Sequence, residues 1–282
     1  MTARGRRFLA RLVTTLVAGL AGILSVGVLP AAADTVGIGQ YVALGDSYAA
    51  GQGGSQHYGD KTCLRSPNGY PALLDAENQI HLRADAACSG ATTSDVSDEQ
   101  LSALKQRTRL VTLTVGAADL GLSRVLAACT PVPPTTECQT EINRALALLA
   151  VPPGGESVLG GRLTGLYADV ADAAPNALIV VTGYPLLFDH VQGDDLKTQI
   201  NRATAALNLT IKTAVESARN SGVNIFYVDV TEAFAGHGID CGCPVPFINP
   251  PGTGINAFHP TAAGYVAYAE AISAVLPSSL ED

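Results

Sequence analysis

An apolar run, Tyr41-Val42-Ala43-Leu44, breaks off into Gly45-Asp46-Ser47-Tyr48-Ala49-Ala50-Gly51, and no other stretch constrains this chain as much. Unbroken apolar residues closed by a glycine turn read as a strand buried on both faces, the mark of a parallel sheet. The turn then throws Ser47 out at the C-terminal edge of that sheet, where open α/β folds bind ligands. With a helix starting behind it, the Ser47 hydroxyl is exposed and its backbone N–H faces any bound anion. An isolated Gly-Asp-Ser is more often an ordinary helix cap, so the reading depends on what the rest of the chain supplies.

The same alternation recurs along the chain. Strand patterns occupy residues 80–87, 109–115, 177–182 and 224–230. Between them lie helical patterns near residues 70–77, from Ser94 or Asp95 to 106, from 119 to 127, 137–149, around 163–173, and from Asp194 or Asp195 to 220, with a last one running to 275. Pro131-Val132-Pro133-Pro134 and Pro152-Pro153-Gly154-Gly155 interrupt them. Strands alternating with helices imply βαβ crossovers and an α/β fold with a parallel sheet covered on both faces. No internal repeat or second linker divides residues 34–282, so a single domain is expected there.

The first 33 residues read as an export signal: Arg4, Arg6, Arg7 and Arg11, then an apolar stretch, then Pro30-Ala31-Ala32-Ala33 as a small-residue cleavage site. The apolar stretch is also long enough for an uncleaved anchor; ordinary export, with no stable membrane insertion after cleavage, is the expectation. Charge settles a different question. The remaining chain holds 13 basic against 25 acidic residues, a net of −12, which argues against a nucleic-acid groove. Six cysteines, an even set in an exported chain, point to disulfides. Pairing between sequence neighbours is favoured: Cys63–Cys88, Cys129–Cys138 and Cys241–Cys243. For the last pair zinc is the rival, though no second ligand pair stands at the required spacing.

The turns after the first three strands converge on one rim in this topology, carrying Ser47, Gly90 and Ala118, and His259 opens the last helix near the same edge. A serine hydroxyl needs a base to take its proton, and histidine is the usual one near neutral pH. An attacked carbonyl becomes an oxyanion, for which the N–H groups of Ser47 and Gly90 are suitable donors. Together these residues suit acyl transfer to water, a chemistry that needs neither cofactor nor metal.

Read together, Gly45-Asp46-Ser47-Tyr48, Cys88-Ser89-Gly90-Ala91, Gly116-Ala117-Ala118-Asp119 and His259-Pro260-Thr261 resemble the four blocks of the SGNH/GDSL hydrolase superfamily, and within it the secreted, disulfide-stabilised bacterial esterases and lipases. Val181-Thr182-Gly183-Tyr184-Pro185 also sits where that family has a similar strand end. The resemblance implies a three-layer α/β/α fold around a five-stranded, flavodoxin-like parallel sheet of order 2-1-3-4-5. It makes Ser47 the nucleophile and first oxyanion donor, Gly90 the second donor and His259 the base. The implied partner is a small-molecule or lipid ester, and a monomer is expected.

Two positions depart from the family's pattern. Ala118 stands where the third block usually has an asparagine donor, which leaves a slower site, one that borrows Asn68 or Asn249, or one that holds water there. Asn256 stands three residues before the histidine, where aspartate is common. A carbonyl from residues 247–255 is expected to orient His259, with Asn256 as second choice. Asp46 is expected to tie its turn together and Asp119 to cap the following helix. His237 reads as a loop histidine, and His57, His81 and His190 as structural or solvated. Asn208-Leu209-Thr210 matches a glycosylation pattern but falls inside a helix. Leu120, Leu122, Leu186, Leu187 and Phe188 near the rim suggest an acyl ligand. The leading expectation is an exported serine esterase or lipase. The alternatives are a catalytically weakened binding or cell-envelope protein and a carbohydrate acetyl esterase.

Overall fold

The computed structural model describes residues 38–76, 80–129, 131, 135–193 and 195–276. The expected export signal, residues 1–33, lies outside them, as do Val132, Pro133, Pro134 and Asp194.

Every strand is one of the apolar runs. β1 (Ile38–Gly45) is followed by a single helical turn, α1 (Ser47–Ala50), and by α2 (Tyr70–Asp75), which leads into β2 (Ile80–Asp85). A broken helical segment comes next: α3 (Thr93–Asp95), a π-helical turn over Val96–Gln100 and a 3₁₀ turn over Leu101–Ala103. Then come β3 (Leu110–Thr114), α4 (Leu122–Cys129), α5 (Cys138–Leu149), α6 (Val158–Ala173), β4 (Leu178–Thr182), α7 (Leu196–Asn220), β5 (Ile225–Val228) and α8 (Ala262–Ser273). The helix expected from residue 94 to 106 is therefore neither continuous nor as long.

The sheet is parallel throughout, in the order β2-β1-β3-β4-β5. Right-handed crossovers fix the layers from that order. The step from β1 to β2 runs one way along the sheet, and every later step runs the other way. The α2 connection therefore covers one face, where it packs with α8, while α6 and α7 pack together on the opposite face. β3 and β4 are buried along their whole length, which is why they read as unbroken apolar runs.

Several polar groups inside the core pair with one another, whereas Tyr167 Oη is buried without a hydrogen-bond partner. Tyr41 bonds Thr112 at 2.7 Å, Tyr70 bonds Thr114 at 2.9 Å, and Thr182 bonds Tyr268 at 2.9 Å. Three disulfides, Cys63–Cys88, Cys129–Cys138 and Cys241–Cys243, tie down the loops that leave this core. Among the described residues no helix is long and apolar enough to cross a membrane, and no group of three His, Cys, Asp or Glu is placed to hold a metal ion.

Candidate active site

The bend that ends β1 is fixed by close approach. Gly45 has φ +128°, and a Cβ there would lie 2.1 Å from the Thr114 carbonyl oxygen, so only glycine fits. Asp46 N–H donates to that carbonyl at 2.9 Å. Buried Gln100 grips the Gly45 residue from both sides: its Oε1 accepts from Gly45 N–H at 2.7 Å and its Nε2 donates to the Gly45 carbonyl at 2.9 Å. The π-helical turn is what lets Gln100 face inward, since one extra residue per turn rotates the side chain off the helix's regular face.

Asp46 does tie its turn together. It caps α1 by accepting from Tyr48 N–H at 2.9 Å, and its second oxygen accepts from Tyr184 Oη at 2.5 Å. Tyr184 Oη in turn accepts from Ala117 N–H at 3.1 Å, which links the β1 turn to the β3 turn. Among the described residues no cation pairs with Asp46, and burial pushes its carboxyl up to about 7 against the pull of the Tyr184 and Tyr48 hydrogen bonds.

Ser47 is the first residue of α1, and its Oγ lies 2.9 Å from His259 Nε2. His259 Nδ1 lies 2.9 Å from the Ala257 carbonyl. A carbonyl only accepts, so Nδ1 carries the proton and Nε2 offers its lone pair to the serine hydroxyl. This corrects the expectation for the orienting group: it is neither a carbonyl of residues 247–255 nor the Asn256 side chain, whose Oδ1 is buried with no hydrogen-bond partner. The carbonyl reaches back because Phe258 takes a left-handed φ of +65°, a costly conformation for a non-glycine residue. Neighbours hold it there. Phe258 N–H donates to Asn249 O at 2.9 Å, Tyr48 Oη donates to Phe258 O at 2.7 Å, and Asn249 N–H donates to His259 O at 2.9 Å. Burial brings the His259 imidazole down to about 4, with the Ala257 carbonyl pulling the other way.

Gly90 lies across the groove, at φ +81° with open space where a Cβ would stand. The Cys63–Cys88 disulfide, Ser89 N–H donating to Cys63 O at 3.1 Å and Ser89 Oγ donating to Gln52 Oε1 at 2.6 Å anchor its turn. The Gln52 amide also donates to Ile255 O, so one buried glutamine joins the Gly90 turn to the loop before His259. Among the described residues no acceptor takes the N–H of Ser47 or of Gly90. Ser47, Gly90, Ala118 and His259 line one groove of about 110 Å³.

Other candidates fall elsewhere. Asn68 and Asn249 spend their amides on main-chain carbonyls, the first on Gly54 O at 2.7 Å and the second on His259 O at 3.0 Å, and neither lines the groove. Asp119 does not cap the next helix. It accepts from Thr93 N–H at 2.9 Å and Thr93 Oγ1 at 2.7 Å and pairs with Arg162. His237 stacks on Phe247 outside the groove, and His57, His81 and His190 are exposed. Asn208 is buried and exchanges hydrogen bonds with the Tyr184 backbone. Beside the groove, and sharing Tyr48, Ala117 and Leu122 with it, lies an apolar cavity of about 50 Å³ lined also by Leu120, Leu187 and Ile142; Leu186 and Phe188 do not line it. Gln52, Gln100 and Ala257 had no sequence signal, since two act through the interior and the third through its main chain.

The GDSL-like lipase/acylhydrolase family model matches residues 43–267. Lipase 1 of Streptomyces coelicolor is 34% identical over 265 residues, 91% of this chain and 92% of that protein. Two solved structures are similar. Phospholipase A1 from Streptomyces albidoflavus NA297 has a TM-score of 0.74 at 35% identity, over 85% of this chain and 100% of its own. The extracellular lipase from Streptomyces rimosus has a TM-score of 0.72 at 29% identity, over 84% of this chain and 100% of its own. The family match begins inside β1 and ends inside α8, taking in every segment that lines the groove, and this chain belongs to the GDSL-like lipase/acylhydrolase family.

Proposed function

We propose that this carboxylic ester hydrolase is an exported, monomeric serine esterase or lipase that works through a Ser47–His259 dyad. The observation that carries the reading is the 2.9 Å contact of Ser47 Oγ with an imidazole nitrogen whose partner nitrogen is engaged by Ala257 O. His259 Nε2 takes the hydroxyl proton as Oγ attacks the acyl carbon. The oxyanion that forms is met by the N–H groups of Ser47 and Gly90. The imidazolium then returns its proton to the departing alcohol, the carbon–oxygen bond breaks, and an acyl-serine remains. Water deprotonated by the same nitrogen attacks that acyl group and releases the acid.

Two features set the expected speed. The Ala257 carbonyl keeps the imidazole in the right tautomer and offers its dipole to the imidazolium, but no carboxylate charge. Ala118 adds no third donor to the oxyanion, a loss typically worth about 10² to 10³ in rate. The apolar lining of the cavity beside Tyr48 and Leu122 suits the hydrocarbon part of an acyl group. Export is supported by the basic and apolar pattern of residues 1–33 and by three disulfides.

A fluorophosphonate probe and a panel of chromogenic esters test the reading on the same preparation. Labelling that vanishes in Ser47→Ala, together with loss of ester hydrolysis, is the expected result. Folded protein that takes no label and cleaves no ester would leave a binding role, the reading that Ala118 favours.

A further inference from the structure

One buried residue meets all three segments that the acyl transfer above requires. Gln52 follows α1, is 6% exposed, and lines the groove with Ser47, Gly90 and His259. Its N–H donates to Ser47 O at 3.0 Å. Its Oε1 accepts from the Oγ of Ser89, the neighbour of Gly90, at 2.6 Å, and its Nε2 donates to Ile255 O in the loop that leads to Ala257 and His259. Its own carbonyl accepts from Tyr265 Oη of α8 at 2.8 Å.

The amide is held one way round. A carbonyl only accepts, so Nε2 faces Ile255 and Oε1 takes the Ser89 proton. Each end of a planar group is thereby committed to a different wall of the groove. Among the described residues no other hydrogen bond bridges the Gly90 turn and the loop before His259. The main chain beside Gln52 lies flush against the base: a Cβ on Gly53 would come within 2.8 Å of His259 Cβ, and Gly53 O accepts from Asn249 Nδ2 at 3.2 Å. Gly90 has no such neighbour, with nothing within 4 Å of where its Cβ would stand, so packing on that side does not set where its N–H points.

We propose that Gln52 is a positioning residue for the acyl transfer: it sets the span between the Gly90 N–H and the His259 imidazole, so that oxyanion donor and base keep one geometry about Ser47. The inference rests on the dyad reading above. Gln52 moves no proton in that reaction and acts only through Ser89 and Ile255. A misplacement of about 1 Å in a reacting group can cost about 10² in rate, which is the scale on which a lost clamp is read.

The test measures kcat and KM on p-nitrophenyl hexanoate. Gln52→Met keeps the length of the side chain and removes both of its hydrogen bonds; kcat should fall about tenfold to a hundredfold with KM within about twofold of wild type. Gln52→Glu examines the Ile255 contact. A neutral carboxyl donates to Ile255 O and accepts from Ser89, whereas a carboxylate donates nothing. Taken as a ratio to wild type, which cancels the titration of Asp46 and His259, its kcat should stay near one at pH 5 and fall toward pH 8 as the buried carboxyl loses its proton. Ser89→Ala breaks one arm alone and carries the test if Gln52→Met does not fold. Its kcat should fall about threefold to tenfold, and adding it to Gln52→Met should cost nothing more. Folded Gln52 variants with kcat within about twofold of wild type across that pH range overturn the proposal and leave the esterase reading intact. So does a rise in KM at constant kcat, since Gln52 would then bind substrate, or full additivity with Ser89→Ala, since the two residues would then act apart. If the wild type cleaves no ester and Ser47 takes no fluorophosphonate label, the esterase reading itself has failed, and the proposal with it.

Discussion

β1 and β3 end in nearly the same bend and put it to different use. Gly45 has φ +128° and Gly116 has φ +130°, and each is followed by two small or polar residues at the rim of the sheet. At the first bend those residues are Asp46 and Ser47, a cap and the proposed nucleophile; at the second they are Ala117 and Ala118, with no functional group on either side chain. The surroundings differ as well. A Cβ on Gly45 would strike the Thr114 carbonyl at 2.1 Å, whereas a Cβ on Gly116 would meet side-chain tips, Leu207 at 3.2 Å, Leu159 at 3.8 Å and Ile211 at 4.0 Å. One turn is locked by main chain on main chain, the other rests on side chains that can move. A strand end bent this way offers a site, and the residues placed on it decide whether chemistry follows.

The largest effect should separate the two turns outright. Ser47→Ala is expected to lower kcat/KM on a chromogenic ester by about 10⁴ or more with the thermal midpoint unchanged. Residual turnover within about tenfold of wild type would show that the first turn does not carry the nucleophile. Next comes the backbone itself. Gly45→Ala should cost more than about 4 kcal/mol, because both φ and the Thr114 carbonyl oppose it. Gly116→Ala should cost about 1–3 kcal/mol, since strain in φ is offset by a yielding leucine. Denaturant melts of the two variants compare them directly, and equal losses would erase the distinction drawn from packing.

Ala118→Asn restores a donor where the second turn lacks one. Ester turnover is expected to rise about tenfold to a hundredfold on a small neutral ester. No gain in a folded variant would mean that residue 118 does not face the oxyanion. The pH profile then examines the base. With the imidazole held near 4, the acid limb of kcat/KM should lie close to pH 4, so that activity at pH 5.5 stays near its plateau. A limb centred near 6.5 would show a solvated imidazole.

The sequence carried most of the fold because both central strands are buried on each face, and unbroken apolar runs such as Leu110–Thr114 and Leu178–Thr182 have few other readings. That Ser47, Gly90 and His259 share one groove was legible for a chemical reason: a hydroxyl, a left-handed glycine and an imidazole have distinctive residue types. What holds them was not. Ala257 acts through its carbonyl, an atom every residue has, and no pattern marks which one will face Nδ1. Gln100 and Gln52 read as helix and loop polar residues, yet the fold turns both inward to grip backbone. Asp119 sat in a good capping position, but Thr93 and Arg162 took it, a tertiary contact outweighing a local one.

The smallest effect tests how the first turn is buried. Asp46 has its folded-state carboxyl raised to about 7, so the folded chain holds a proton there that the unfolded chain releases near pH 4. Its contribution to stability is therefore complete below about pH 4 and lost as pH rises toward 7. His259 runs the other way. Its folded imidazole is lowered to about 4, so its contribution is complete above about 6.5 and lost as pH falls through 4. Across pH 4 to 6.5 the two oppose each other, and the wild-type thermal midpoint should change little from this pair. Asp46→Asn removes only the first contribution. Its midpoint, lower throughout because Tyr184 Oη loses its acceptor, should climb with pH over that interval where the wild type's does not. Calorimetric scans at half-unit steps read the difference, and parallel curves for the two proteins would mean that Asp46 is already ionised in the folded state, held by the hydrogen bonds of its own turn.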